Sequence, residues 1–257
     1  MRIATWNVNS VRSRAERVVA FLKRHDVDAL AMQEIKCRPD QFPALPFEQA
    51  GYQVAAHGLD QWNGVAIASR VGLTDIEHNF PGQPAFNGIV EARALKATIG
   101  TDTGIPIRLV SLYIPNGREL DNPHYRYKLD WLSALRIAAA NPEQDTLLAG
   151  DWNVAPLDTD VWDINLFSGA THVSEPERAA FKAFEQAGYR EVSRDAAPGY
   201  SYWDYRQLRF PRNEGMRIDF MYASAGLATR VTGGFIDRDE RKGKGASDHA
   251  PLAITLK

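Results

Sequence analysis

Cysteine is all but missing. Cys37 is the one thiol in 257 residues, which excludes an internal disulfide and a zinc site held by thiolates. Placed just after Gln-Glu-Ile-Lys, it reads as a packed or partly exposed bystander and not as a nucleophile. No apolar run approaches the roughly 18 residues that a membrane span needs. The opening MRIATWNVN reads as a first strand, not a signal peptide. A cytoplasmic protein with no membrane partner is the expectation that follows. Neither sign of charge dominates: 30 Lys and Arg against 32 Asp and Glu leave a formal net charge of −2. That balance argues against a protein that coats nucleic acid and leaves room only for local basic patches. Repeats, low-complexity tracts, coiled-coil heptads and linkers are also missing. A single domain over residues 1–257, with one core and a monomeric state, is expected.

Six short stretches, far apart in sequence, end or begin in residues that bind metal and phosphate: TWNVN (5–9), AMQE (31–34), SLYIPN (111–116), GDWN (150–153), RIDF (217–220) and SDH (247–249). Apolar, strand-like runs lead into the polar groups: IATW into Asn7, ALAMQ into Glu34, RLVSL into Tyr113, TLLAG into Asp151. Open α/β sheets bind ligands at such carboxyl ends. Asp219 and the Ser247-Asp248-His249 run instead precede their apolar segments, so antiparallel strands would bring them to the same rim. Helical spacing marks 11–24 and 126–140, and Ser174, Pro176, Glu177 and Gly188 signal both ends of a third helix whose Phe181 and Phe184 face the core. Strands are expected at 52–57, 64–69, 89–99, 107–113, 145–150, 217–223, 229–236 and 250–256, with TDTG (101–104) as a turn. Their interleaving predicts an α/β fold, a four-layer sandwich of two packed mixed β-sheets flanked by helices.

Asp151 and Asn153, two apart on a strand, would project together while Trp152 turns away. A carboxylate beside a neutral amide suits phosphodiester hydrolysis: one activates water or binds metal, the other stabilises charge growing on phosphate. An Asx turn closing the strand is the bland alternative. Asn7 and Asn9 repeat the spacing, able to reach phosphate or to position Asp151. Glu34 ends a run that reads as buried on both faces, where an unpartnered carboxylate is costly, so a hard cation such as magnesium is its expected partner. Asp248 directly precedes His249 and would fix its tautomer and favour its protonated form. Asp219 opens a strand, where a charge has little structural use unless it pairs; it reads as an orienting or proton-handling carboxylate. Among the basic residues, Arg12, Arg14, Arg17, Lys23 and Arg24 read as a solvated helix face. Arg206, Arg209, Arg212 and Arg217, in an aromatic-rich loop, read as phosphate contacts.

Taken together, NVNSVR (7–12), QEIKC (33–37), SLYIPNG (111–117), GDWNVAPLDTDVW (150–162) and YWDYR followed by RIDF (202–206, 217–220) carry a resemblance. Over residues 3–254 the chain resembles the exonuclease III family of apurinic/apyrimidinic DNA endonucleases. The resemblance implies Glu34 as principal metal ligand with Asn7 and Asp248 close by, and a metal-contacting set completed by Asp151, Asn153 and His249. It implies Asp151 as water activator or proton donor, Asn153 as stabiliser of the pentacovalent phosphate, and His249 as its contact. Tyr113 is similar to the family's active-site tyrosine and Asp219 to its additional carboxylate. The secreted DNase I branch has a histidine in place of Tyr113, which favours repair over digestion. A sugar without its base would swing into an apolar pocket made by Tyr202, Met216 and Ile218, with Trp203 packing the loop instead. Asn9, Asn116, Arg118 and Arg206 complete the implied DNA contacts, and Arg126 and Lys128 lie near that surface. Tyr202 departs from the usual Trp or Phe, Ile35 replaces a common Thr, and GLDQWNGVAI (58–67) lacks a basic residue before its NG. The implied activity is magnesium- or manganese-dependent incision of double-stranded DNA 5′ to abasic sites, with trimming of blocked or ordinary 3′ ends. An exonuclease-dominant enzyme, a non-catalytic regulator on the same fold and a lipid or inositol phosphatase are the alternatives.

Overall fold

The computed structural model describes residues 1–257. Twelve strands alternate with six helices. The first part of the chain holds β1 (Arg2–Asn7), α1 (Ala15–Arg24), β2 (Ala29–Gln33), α2 (Ala44–Gln49), β3 (Gln53–His57) and β4 (Val65–Ser69). The middle holds β5 (Leu73–His78), β6 (Ala94–Ile99), β7 (Ile107–Tyr113), α3 (Pro123–Ala138), β8 (Thr146–Asp151), α4 (Glu175–Lys182), β9 (Tyr189–Glu191), α5 (Ser193–Ala196) and β10 (Asp219–Ser224). The last part holds α6 (Ala225–Ala228), β11 (Val231–Ile236) and β12 (Leu252–Leu256). Two six-stranded mixed sheets result, ordered β11-β12-β1-β2-β4-β3 and β5-β6-β7-β8-β10-β9.

Side-chain alternation decides what each face meets. In β1, Ile3 points between the sheets while Ala4 and Trp6 point at α1; in β8, Leu147 and Ala149 point inward while Leu148 points at the α3/α4 layer. The single core expected from length is therefore three apolar layers, one between the sheets and one under each helical layer. Together they make the four-layer sandwich. The same parity carries Asn7, Gln33, Tyr113, Asp151 and Asp219 onto the inner face at the ends of their strands. No helix is long and apolar enough to cross a membrane.

Several expected boundaries move for physical reasons. The 11–24 helix is broken at Arg14 into a 3-10 turn at Val11–Ser13 and α1. α3 starts earlier than 126 because Asn122 caps it, Oδ1 accepting from His124 N at 2.9 Å with Pro123 in the first turn. α4 stops at Lys182, and turns carry the chain on to Gly188. The 89–99 strand is regular only from Ala94. The edge strands β5, almost wholly exposed, and β9, three residues long, have no clear sequence pattern. The basic face of α1 is not simply solvated: Arg14 Nε donates to Gly245 O at 2.8 Å and Arg17 Nη2 to Lys242 O at 2.8 Å, seating the loop that leads to His249. Cys37 is fully buried, as a bystander should be.

Candidate active site

Two similar turns build the rim. β1 ends at Asn7, whose Oδ1 accepts from Asn9 N at 3.1 Å, and β8 ends at Asp151, whose Oδ1 accepts from Asn153 N at 3.0 Å. Asn9 and Asn153 both take left-handed backbone conformations, with φ of 42° and 50°. These are Asx turns, so the expectation that Asp151 and Asn153 share a strand face is corrected: the strand stops and the turn brings Asn153 round. Glu34, with φ of 52°, likewise sits one residue past β2.

Pairing then gathers the groups. β7 lies parallel to β8 with Tyr113 beside Asp151, and β10 lies antiparallel to β8 with Asp219 opposite Asp151. In the other sheet, β12 lies antiparallel to β1, and Ser247 Oγ donates to Asn7 O at 2.7 Å while Trp6 Nε1 donates to His249 O at 3.0 Å. Asn7 bridges the two sheets, its Nδ2 donating to Glu34 Oε1 at 2.8 Å and to Asp151 Oδ2 at 3.0 Å.

His249 Nδ1 is 2.8 Å from Asp219 Oδ2, and its Nε2 is 3.7 Å from Asp151 Oδ2. Asp248 was expected to orient this ring; it accepts instead from Asn9 Nδ2 at 3.2 Å, because adjacent residues turn their side chains apart. Burial alone would lower the imidazole's affinity for a proton, but Asp219 and Asp151 override it and push His249 up to about 10. Burial, with the charge of Asp219, raises Asp151 to about 7 against the opposing pull of His249. An imidazole held cationic between two carboxylates is suited to meeting a phosphate oxygen. Tyr113 is held well above its ordinary value by burial and by the charge of Glu34.

These groups line a cavity of about 360 Å³ that includes Glu34, Tyr113, Asn116, Arg118, Asp151, Asn153, Asp248 and His249. Tyr202, Met216 and Ile218 form its apolar wall, with the Tyr202 ring 5.0 Å from that of His249. Trp203 is buried away from it. Larger cavities lie elsewhere, one of about 570 Å³ beside Arg194 and Arg217 and one of about 490 Å³ lined by Asp60, Asn63, Asn87, Glu91 and His124, but neither receives Glu34, Asp151, Asn153 and His249.

Some expected contacts fall outside the cavity. Asn9 is taken up by Lys36 Nζ at 2.6 Å and by Asp248, and Arg206 stands exposed on Asp204 at 2.9 Å. Arg217 is buried, donating to Ala197 O at 2.7 Å and Gly199 O at 2.9 Å, and Arg209 pairs with Glu214. Both arginines are drawn into contacts within the protein.

Three residues escaped the sequence reading, and the place of a fourth was misjudged. Lys36 Nζ lies 2.8 Å from Glu34 Oε2. Burial alone would raise Glu34; Lys36 and the hydrogen bond from Asn7 hold it below the ordinary carboxylate range. Arg93 packs its guanidinium over the Tyr113 ring, 4.8 Å from the centroid. His172 Nε2 lies 3.2 Å from Asn153 Oδ1. Lys128, expected near the DNA-facing surface, is instead wholly buried beneath the rim, and the signal for that was a charge on the apolar stripe of a helix beside Trp131, Leu132 and Leu135.

Oxygen donors dominate the cavity, which fits a hard cation and not a soft one. The ammonium of Lys36 already occupies one side of Glu34, and Asp219 Oδ1 is a buried oxygen with no partner. No three acidic, histidine or cysteine side chains converge as a complete metal cage.

A two-sheet α/β sandwich with carboxylates, amides and a cationic imidazole gathered where the sheets meet defines a hydrolase of phosphate esters. A model of the endonuclease/exonuclease/phosphatase family matches residues 4–249, and the chain belongs to that family. It is 28% identical to exodeoxyribonuclease III of Haemophilus influenzae, with 100% of each chain covered. Among solved structures it resembles a 3′ phosphatase from Neisseria bound to a product DNA hairpin, at 31% identity and a TM-score of 0.92, covering 100% of this chain and 99% of that one. An AP endonuclease from Archaeoglobus fulgidus is similar at 32% identity and a TM-score of 0.91, with the same shares covered.

Proposed function

We propose that the chain is a divalent-metal-dependent DNA-repair phosphodiesterase, acting as a monomer on double-stranded DNA. It incises 5′ to abasic sites, leaving a 3′-hydroxyl, and clears 3′ ends. The observation that carries this reading is the buried Asp151–His249–Asp219 chain opening on a cavity beside Glu34.

In this reading Asp151, raised to about 7, accepts the proton of the water that attacks phosphorus as the P–O3′ bond breaks, and the O3′ takes a proton from solvent water and leaves as the hydroxyl. The His249 imidazolium donates to a non-bridging oxygen, Asp219 holds the ring through Nδ1, and Asn153 and Asn116 face the growing negative charge. Glu34, with Asn7 and Asp248 beside it, would hold magnesium or manganese, which would neutralise charge on the phosphate. Tyr202, Met216 and Ile218 receive the displaced sugar, whose missing base lowers the cost of leaving the stack.

One observation favours a second reading, in which removal of 3′-terminal groups dominates. His172, pushed down to about 3 by burial and the nearby charge of Lys128, leans as a neutral ring on Asn153 and takes up part of the cavity wall. The two readings separate on a 5′-labelled duplex carrying one internal abasic analogue, assayed beside a recessed 3′ end with magnesium, with manganese and with chelator. One metal-dependent incision supports the first, a ladder from the 3′ end the second, and binding without cleavage removes both. Asp151→Asn is expected to keep the fold by circular dichroism and to lose at least about a hundredfold in turnover.

A further inference from the structure

Beneath the rim lies a buried ion pair whose contacts all run upward. Lys128 and Glu177 are both 0% exposed, and the Lys128 ammonium contacts Glu177 Oε1. Its other two protons go to main-chain oxygens, Asn153 O at 2.6 Å and Asn116 O at 3.1 Å. An ammonium has three donors, and here each is spent. Glu177 is equally full: Oε1 also accepts from Thr171 Oγ1 at 2.7 Å and His172 N at 2.9 Å, and Oε2 from Ser174 N at 3.2 Å and Ser174 Oγ at 2.5 Å. Three separate pieces of the cavity wall therefore meet on one ion pair: the loop after β7, the turn after β8 and the strap at 171–174.

Stability alone does not account for this arrangement. Burying two charges costs about as much as their attraction returns, and apolar replacements of similar volume commonly keep or raise stability. The pair instead pins a backbone that local forces do not fix. Asn153 is left-handed, its N–H is given to Asp151 Oδ1, its Nδ2 to Ile114 O, and its carbonyl is anchored only by Lys128.

We propose that Lys128 and Glu177 are a positioning pair for phosphodiester cleavage, fixing where the amides of Asn116 and Asn153 face the reacting phosphate and how closely the 171–174 strap approaches them. This rests on the cavity cleaving phosphodiesters. The pair touches no reacting atom; it acts through Asn153, Asn116 and the strap.

The test compares wild type, Lys128→Met/Glu177→Leu, Lys128→Arg and the exposed α3 control Ser133→Ala on the labelled duplex, with Tm, KM and kcat measured for each. The double variant is expected to unfold cooperatively near the wild-type Tm, to keep KM within about twofold, and to lose about a hundredfold in kcat, the scale of an ångström's misplacement. Lys128→Arg, which keeps the charge and the donors, should recover most of that loss. Wild-type kcat in the double variant, or KM and kcat falling together with Tm, overturns the proposal. If the double variant does not fold, Glu177→Gln is read in its place, with the same loss confined to kcat expected. Side-chain amide resonances of Asn116 and Asn153 give a readout independent of turnover: they should shift in the double variant and not in Ser133→Ala. Unshifted resonances reject the pair's role, whereas a wild type without cleavage rejects the phosphodiesterase reading alone.

Discussion

Asp219 gives one carboxylate oxygen to His249 Nδ1 and leaves the other, Oδ1, buried without a partner. A half-satisfied buried acid is held for its charge. Asp219→Asn should lower the His249 proton affinity by a unit or more from about 10, because the first of the two carboxylates that raise it is gone. An NMR titration of the His249 ring measures this directly; an unchanged midpoint would show that Asp151 alone sets the imidazole. Residue chemistry was largely legible in sequence here, since Asn7, Glu34, Tyr113, Asp151, Asn153, Asp248 and His249 do converge. Partnership was not. Asp248 stands next to His249 in the chain, yet the ring pairs with Asp219, which only β10 lying against β8 brings near. Lys128 stayed hidden for a related reason: a lone lysine on a helix says nothing of Glu177, brought to it only by tertiary packing.

At the scale of elements, β7 and β8 run side by side and deliver Tyr113 and Asp151 to adjacent places. Their approach depends on Gly150, where a Cβ would fall 1.9 Å from Leu112 O. Gly150→Ala must part the two strands; it should cost about 1–3 kcal/mol and depress turnover with stability. Urea unfolding monitored beside cleavage checks both, and an unchanged midpoint would mean that the strands slide at no cost. Buried strands announced themselves as apolar runs, so β1, β2, β7 and β8 were readable almost to the residue. β5 was not, because an exposed edge strand needs no apolar face and LTDIEH has none. The end of β8 was legible only as the alternative: Asp-x-Asn allows an Asx turn as readily as a shared strand face, and the structure has the turn.

For the whole molecule, histidines set opposing limits on stability with pH. His124, lowered to about 4 by burial and by Arg93 and Arg118, and His172, lowered to about 3, bind protons less readily folded than unfolded. Their contribution is complete above the ordinary value of 6.5 and is lost as pH falls from there toward 4 and 3. His249, raised to about 10, works the other way: its contribution is complete below 6.5 and is lost as pH rises through 10. Asp151, raised to about 7, opposes the two acid-limiting histidines over the same acid range, one carboxylate against two imidazoles. Stability should therefore peak near neutrality. The drop in Tm from pH 7 to pH 5 should shrink in His124→Gln; a drop equal to that of wild type would remove His124 from the account.

The catalytic rim is assembled from both sheets, and the chain lays them down unequally. β5 to β10 form one sheet from a single stretch, whereas the other sheet joins β1 to β4 with β11 and β12. A chain emerging during synthesis thus carries Glu34, Asp151 and Asn153 well before it carries Asp248 and His249, which take their places only when β12 slots between β11 and β1. Until that late pairing the acid that would activate water has no imidazolium beside it. By its order of assembly, the rim is completed by the last strand of the chain to be made.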